Sequence, residues 1–116
     1  MKPIAFAVAT LLSVTAVVAS AHHGWSSYDE TKPITLTGSL KDVSWSNPHG
    51  TARMRWQGQD WDVVLAPVAR MESRGLSNAM LSGGKKVTIT GYARRDGIRE
   101  LRLERIRVGD RMVELR

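Results

Sequence analysis

Period-two alternation, cut into short lengths by glycine, proline and asparagine, is the feature that most restricts what this chain can become. Ile34-Thr35-Leu36-Thr37-Gly38-Ser39-Leu40 alternates apolar with polar residues and is rich in β-branched side chains, as a half-buried strand requires. Val43 and Trp45 continue it beyond a glycine that marks a bend, which predicts one long, bent first strand. Ser46-Asn47-Pro48-His49-Gly50 is a turn signal, with Asn suited to the first position, Pro to the second and Gly to the fourth. Residues 51–56 form a second strand, Gln57-Gly58-Gln59-Asp60 a hairpin loop, and residues 61–65 a third strand. Pro67 can open a helix whose apolar side is Val68, Met71 and Leu76 and whose end is Gly75. A short turn or helix over 76–84 then feeds a fourth strand at 87–93. Arg94-Arg95-Asp96-Gly97 carries the Asp-Gly of a tight hairpin into a fifth strand at 98–108. In that strand Leu101 and Leu103 share one parity while Ile106 and Val108 share the other, so a bulge is expected near Glu104-Arg105. Val113-Glu114-Leu115 adds a short last strand.

Three strands, a helical connection and two more strands predict an all-β fold with one short helical connection. The order is that of a small five-stranded OB-like Greek-key barrel. An open antiparallel sheet or sandwich with the same hairpins is the other compatible architecture. With no cysteine in the chain, the core has to hold by packing alone.

The barrel accounts for residues 34–116 and an arm for 22–33. Residues 1–21 read as a cleavable signal peptide: Lys2 supplies the positive start, 4–18 are almost wholly apolar and uncharged, and Ala19-Ser20-Ala21 offers small residues for cleavage. The apolar run is shorter than the ~20 residues of a spanning helix. A bacterial periplasmic or secreted location follows, with membrane contact only through the uncleaved leader. The formal net charge of +6, of which only one positive charge is Lys2, points to anionic partners, and export argues against nucleic acid.

The three histidines are the most informative chemistry. Cleavage after Ala21 would give His22 a free α-amine beside its own ring, and His49 in the long turn, or His23, would supply a second ring. An amine and two imidazoles make a histidine brace, a nitrogen set that suits Cu(II) best, with nickel or zinc behind it. His22 with His49 is the preferred pair, because adjacent residues on an extended arm point to opposite sides. Cleavage after Ala19 would instead place His22 third from the amine, another Cu(II)-binding geometry. The plainer alternative is that His22-His23 is only a polar start and His49 only a turn residue.

The carboxylates are scattered, and Ser26-Ser27 lacks a nucleophile-elbow context, so no enzyme class is supported. A copper oxidase of polysaccharides built on the same brace is a lesser possibility. Trp45 and Trp61 are expected in the core by strand parity, while Trp25 and Tyr28 could dock the arm and bring the amino terminus close to His49. A second candidate function is binding of an anionic envelope polymer or a partner protein. Its candidate residues are Trp25 with Arg94, Arg95, Arg99, Arg102 and Arg105.

Ala21-His22-His23-Gly24-Trp25, Tyr28-Asp29, Ile34-Thr35-Leu36-Thr37-Gly38, Val43-Ser44-Trp45-Ser46-Asn47-Pro48-His49 and Lys86-Val87-Thr88-Ile89-Thr90-Gly91 together resemble the small exported bacterial proteins of domain of unknown function 6152. The resemblance implies export and a small β domain, and places both histidine elements in the family pattern. It implies no activity.

Overall fold

The computed structural model describes residues 24–116, together with Pro3. Apart from Pro3, the predicted leader lies outside the described residues, as do His22 and His23.

The alternating runs become β1 (Ile34–Ser39), β2 (Lys41–Ser44), β3 (Thr51–Trp56), β4 (Gln59–Val64), β5 (Lys86–Ala93), β6 (Glu100–Val108) and β7 (Arg111–Glu114). Two short helices, α1 (Val68–Ser73) and α2 (Asn78–Leu81), connect β4 to β5. The strands form one curled, half-barrel sheet in the order β1-β5-β6-β4-β3-β2, with β7 paired to β6. All pairings are antiparallel except β4 with β6, which is parallel.

Seven strands form where five and a short last strand were expected, because the first strand divides in two. The first run breaks at Leu40, and Asp42 adopts a positive φ of 49° just beyond it, so the bend falls there and not at Gly38. The two halves pair with different partners, β1 with β5 and β2 with β3, so the ends of the strand order are consecutive in the chain. At the other end the chain turns at Gly109-Asp110, and the expected last strand is β7, which begins two residues earlier than Val113.

Two loops also differ from expectation. The hairpin after β3 is a two-residue turn of Gln57 and Gly58, with φ of 51° and 74°, the two positive values that a type I′ turn demands. The Asp-Gly pair, by contrast, sits in a wider loop over 94–99. There the Asp96 carboxylate accepts from the Arg94 guanidinium and from the Ile98 N–H at 3.1 Å. A bend with a cis peptide bond at Asn47–Pro48 stands where a turn was expected.

The inward-facing parity of the strands builds the core from Leu40, Met54, Val63, Leu65, Val87, Ile89, Leu101, Leu103, Ile106 and Val113, closed by Met71 and Leu81 from the helices. Trp45 and Trp61 are not buried within it. They sit half-buried at its margin, Trp45 donating its indole N–H to Glu72 Oε1 at 3.1 Å and Trp61 leaning on Trp56 at 4.8 Å. The boundary lets Trp45 satisfy its polar edge, whereas the Trp61 indole nitrogen is buried without a hydrogen-bond partner.

The bulge falls where parity placed it. Thr90 faces Arg105 while Gly91 faces Leu103, which leaves Glu104 as the extra residue. Its carbonyl accepts from the Leu115 N–H at 2.7 Å, and its carboxylate accepts from the Tyr92 hydroxyl. A Cβ at Gly91 would lie 2.5 Å from the Arg102 carbonyl oxygen, so this position tolerates only hydrogen. Among the described residues no helix is long and apolar enough to cross a membrane.

Candidate functional site

The arm lies over the ends of β5 and β6. After a single 3-10 turn, Trp25–Ser27, the chain extends, and Tyr28 forms a bridge to Arg94. Backbone bonds from Asp29 N–H to the Ala93 carbonyl, 2.8 Å, and from Arg95 N–H to the Ser27 carbonyl, 3.0 Å, fix its course. The Tyr28 side chain is buried and donates its hydroxyl to Glu100 Oε2 at 2.6 Å. Burial, and then the Glu100 carboxylate that accepts its proton, push the Tyr28 phenol above its ordinary range.

Trp25 is the centre of this contact. Its indole stands edge-on to Tyr92 at 6.0 Å and tilted to Tyr28 at 6.3 Å. Arg102 lies over the same ring at 4.4 Å and Arg116 at 4.3 Å, both within cation–π range. Arg116 also pairs with Glu30 of the arm.

His49 is held in place by the residue after it. Gly50 donates its N–H to the Ala66 carbonyl at 2.8 Å and accepts from Leu65 N–H at 2.9 Å, which pins the 45–50 loop to the end of β4. The ring of His49 is half-buried there. Burial first, then the charges of Arg102 and Arg70, hold its pKa below the ordinary 6.5, so the imidazole is neutral at neutral pH. Arg102 therefore stacks on the arm and adds its charge to the field that His49 experiences.

Among the described residues no three His, Cys, Asp or Glu side chains converge to hold a metal ion. His49 is the one histidine they include, so a metal at His49 needs donors from His22, His23 or an amine. Three extended residues reach about 10 Å, which is the distance His22 has to spend beyond Trp25.

The arginines singled out by sequence are placed one by one. Arg102 joins Trp25 as described. Arg94 is nearly covered, clasped to Asp96 and 3.5 Å from Glu100. Arg95 donates to the Ser26 carbonyl at 3.1 Å, Arg105 to Glu114 at 3.0 Å, and Arg99 is exposed on the loop. Arg53 and Arg55 on β3 face Asp62 and Asp60 at 3.5 and 3.6 Å. Sequence reading missed Arg70 and Arg116, because neither belongs to a motif; a helix turn and the last residue of the chain carry no signal of a shared neighbourhood.

The Arg94 clasp has a measurable signature. It holds the exposed Asp96 carboxyl at about 2, below its ordinary 3.8, with the Ile98 N–H helping. Its contribution to stability is complete above the ordinary value and is lost as pH falls through the folded one. Carboxyl-detected NMR should place the Asp96 midpoint near 2 and return it toward 3.8 in Arg94→Gln; a normal midpoint in the parent would remove the clasp.

No curated protein matches the chain. The family model described as "Family of unknown function (DUF6152)" matches residues 9–102. That span takes in the docked arm, the His49 loop and the strands up to Arg102, and the chain belongs to this family.

Proposed function

We propose that this protein is an exported module that captures Cu(II) through an amino-terminal histidine, His22 with His23 as the alternative, and His49. In this reading residues 1–21 are a signal peptide whose removal after Ala21 creates the chelating amine, and the mature protein is periplasmic or secreted. The domain is read as an OB-like barrel, with β1 and β2 as the two halves of its first strand and β7 as an addition. The parallel β4–β6 pair and the helical connection between β4 and β5 support that assignment.

The observation that carries the copper reading is the docking of the arm. Trp25, three residues after His22, is stacked on the same Arg102 whose charge acts on His49. Trp25 and His49 thus have Arg102 as a shared neighbour, which supports a terminus three residues before Trp25 as a partner for the His49 loop. A neutral imidazole and a free amine are a nitrogen set that Cu(II) prefers to other common divalent ions. The neighbouring guanidiniums weaken capture of a dication, and solvent screening limits the penalty.

Cu(II) titration of protein beginning at His22 tests this. His49→Ala should weaken binding by more than about 100-fold, since loss of a ligand should exceed the 10–100-fold typical of losing an outer-shell partner. The electron paramagnetic resonance spectrum should lose one imidazole nitrogen. Unchanged affinity in that variant would remove His49 from the site.

A further inference from the structure

The loop that carries His49 is held at both ends by consecutive residues of α1. At its start the Trp45 indole donates to Glu72 Oε1 at 3.1 Å. At its end Gly50 lies against Met71, so closely that a Cβ there would stand 2.7 Å from the Met71 methyl carbon and 3.3 Å from Leu65 Cδ1. Gly50 and Met71 are both buried, so this end of the loop is part of the packed interior.

The same helix and its C-cap, Arg74, hold residues 114–116. Arg70 donates to the Leu115 carbonyl at 3.0 Å, and Arg74 to the Glu114 and Arg116 carbonyls at 2.7 and 3.1 Å. Arg116 in turn pairs with Glu30 and lies over the Trp25 ring at 4.3 Å, which brings the path to the arm. Residues 70–74 therefore link the His49 loop to the arm through side-chain contacts.

We propose that α1 is the positioning element of the metal site, with Glu72 and Arg74 as its positioning residues. The proposal rests on the copper reading, in which the two donors come from separate elements, His49 from the loop and His22 from the arm. A metal that bridges two elements binds tightly when their separation is set beforehand; otherwise each has to be ordered at the moment of capture. Backbone bonds tie the loop to the end of β4 and the arm to the end of β5, and α1 adds the side-chain link between them. Glu72 acts on His49 through Trp45, and Arg74 acts on the arm through Arg116, so neither touches the metal.

The test uses protein beginning at His22. Glu72→Ala should weaken Cu(II) binding about tenfold, the size expected for losing an outer-shell partner, and Arg74→Ala should do so by a similar factor. Glu72→Gln should recover most of the loss, because its amide oxygen can still accept from the Trp45 indole. In a His49→Ala background Glu72→Ala should cost nothing further, an outcome that a general loss of stability does not produce. Metal-free protein is read by NMR: Glu72→Ala should shift the His49 ring signals, and Arg74→Ala the Trp25 indole N–H. Both residues are exposed, so the fold should survive, with the amide of the buried Ile89 as the control. Unmoved His49 or Trp25 signals, undiminished Cu(II) binding in either alanine variant, or a Glu72→Ala loss that is the same with and without His49 would overturn the proposal. A parent that binds Cu(II) no better than His49→Ala, with the metal-free shifts present, would overturn the copper reading and leave α1 as the link between loop and arm.

Discussion

Gly91→Ala should destabilise the protein by about 3 kcal/mol and lower its melting temperature by more than about 10 °C. The added carbon meets the Arg102 carbonyl oxygen at 2.5 Å and the Leu103 side chain at 3.0 Å. Backbone cannot rotate aside as a side chain can, so β5 and β6 have to separate locally. They separate at the bulge, where Arg102 sets out toward Trp25 and Glu104 ties in Leu115. The damage therefore reaches the arm as well as the sheet. Gly24→Ala is the matched control, since nothing lies within 4 Å of a Cβ there. Denaturant unfolding that placed Gly91→Ala within about 0.5 kcal/mol of the parent would contradict the close approach.

Tyr28→Ala should cost about 3–5 kcal/mol, the range for emptying a buried aromatic site. Tyr28 is only 3 % exposed, and its loss also takes the hydroxyl from Glu100. Because Tyr28 is the arm's buried anchor, its removal should free Trp25 from Arg102 and raise the mobility of everything before it. Tyr28→Phe separates the two effects: the ring stays and about 1 kcal/mol is lost with the hydrogen bond. Hydrogen exchange read at Asp29 N–H, bonded to the Ala93 carbonyl, should quicken strongly in Tyr28→Ala and slightly in Tyr28→Phe. Equal protection in the alanine variant would mean that the arm is held elsewhere.

The sequence is a good guide wherever a single physical period governs. Parity alone locates the bulge near Glu104-Arg105, because Leu101, Leu103 and Ile106 cannot all face inward on an unbroken strand, and the register singles out Glu104. It fails where partners distant in sequence decide. Asp96-Gly97 looks like a hairpin until Arg94 and the Ile98 N–H claim the aspartate. Gln57 carries little preference for positive φ, so the two-residue turn that it makes with Gly58 was concealed. The break at Leu40 leaves a trace in parity, since Ile34, Leu36 and Leu40 are at even positions and Val43 and Trp45 at odd ones, but the change of pairing partner from β5 to β3 depends on distant strands.

The same limit applies to the site. His49 and Trp25 stand out by residue type, and a docked arm was a reasonable expectation from Trp25 and Tyr28. Nothing in the spacing of Trp25, Arg102 and Arg116 reveals that both guanidiniums lie over one indole. The runs of arginine that draw the eye, Arg94-Arg95 above all, are turned to local structural work through Asp96, Glu100 and the Ser26 carbonyl.

The helix α1 does more than bridge two strands. Arg70 donates to the Leu115 carbonyl, and Arg74 to those of Glu114 and Arg116 at 2.7 and 3.1 Å. Arg111 returns a bond to the Gly75 carbonyl at 2.8 Å. A terminal strand normally offers unpaired backbone groups to any passing chain, and so invites fibrillar self-association. Here side-chain donors occupy the carbonyls of Glu114, Leu115 and Arg116, where β7 ends, and the guanidiniums add charge that a second copy would have to approach. In a chain with no cysteine, these bonds from α1 and its C-cap are what hold residues 114–116 against the helix, and losing them would leave the end of β7 open to pairing.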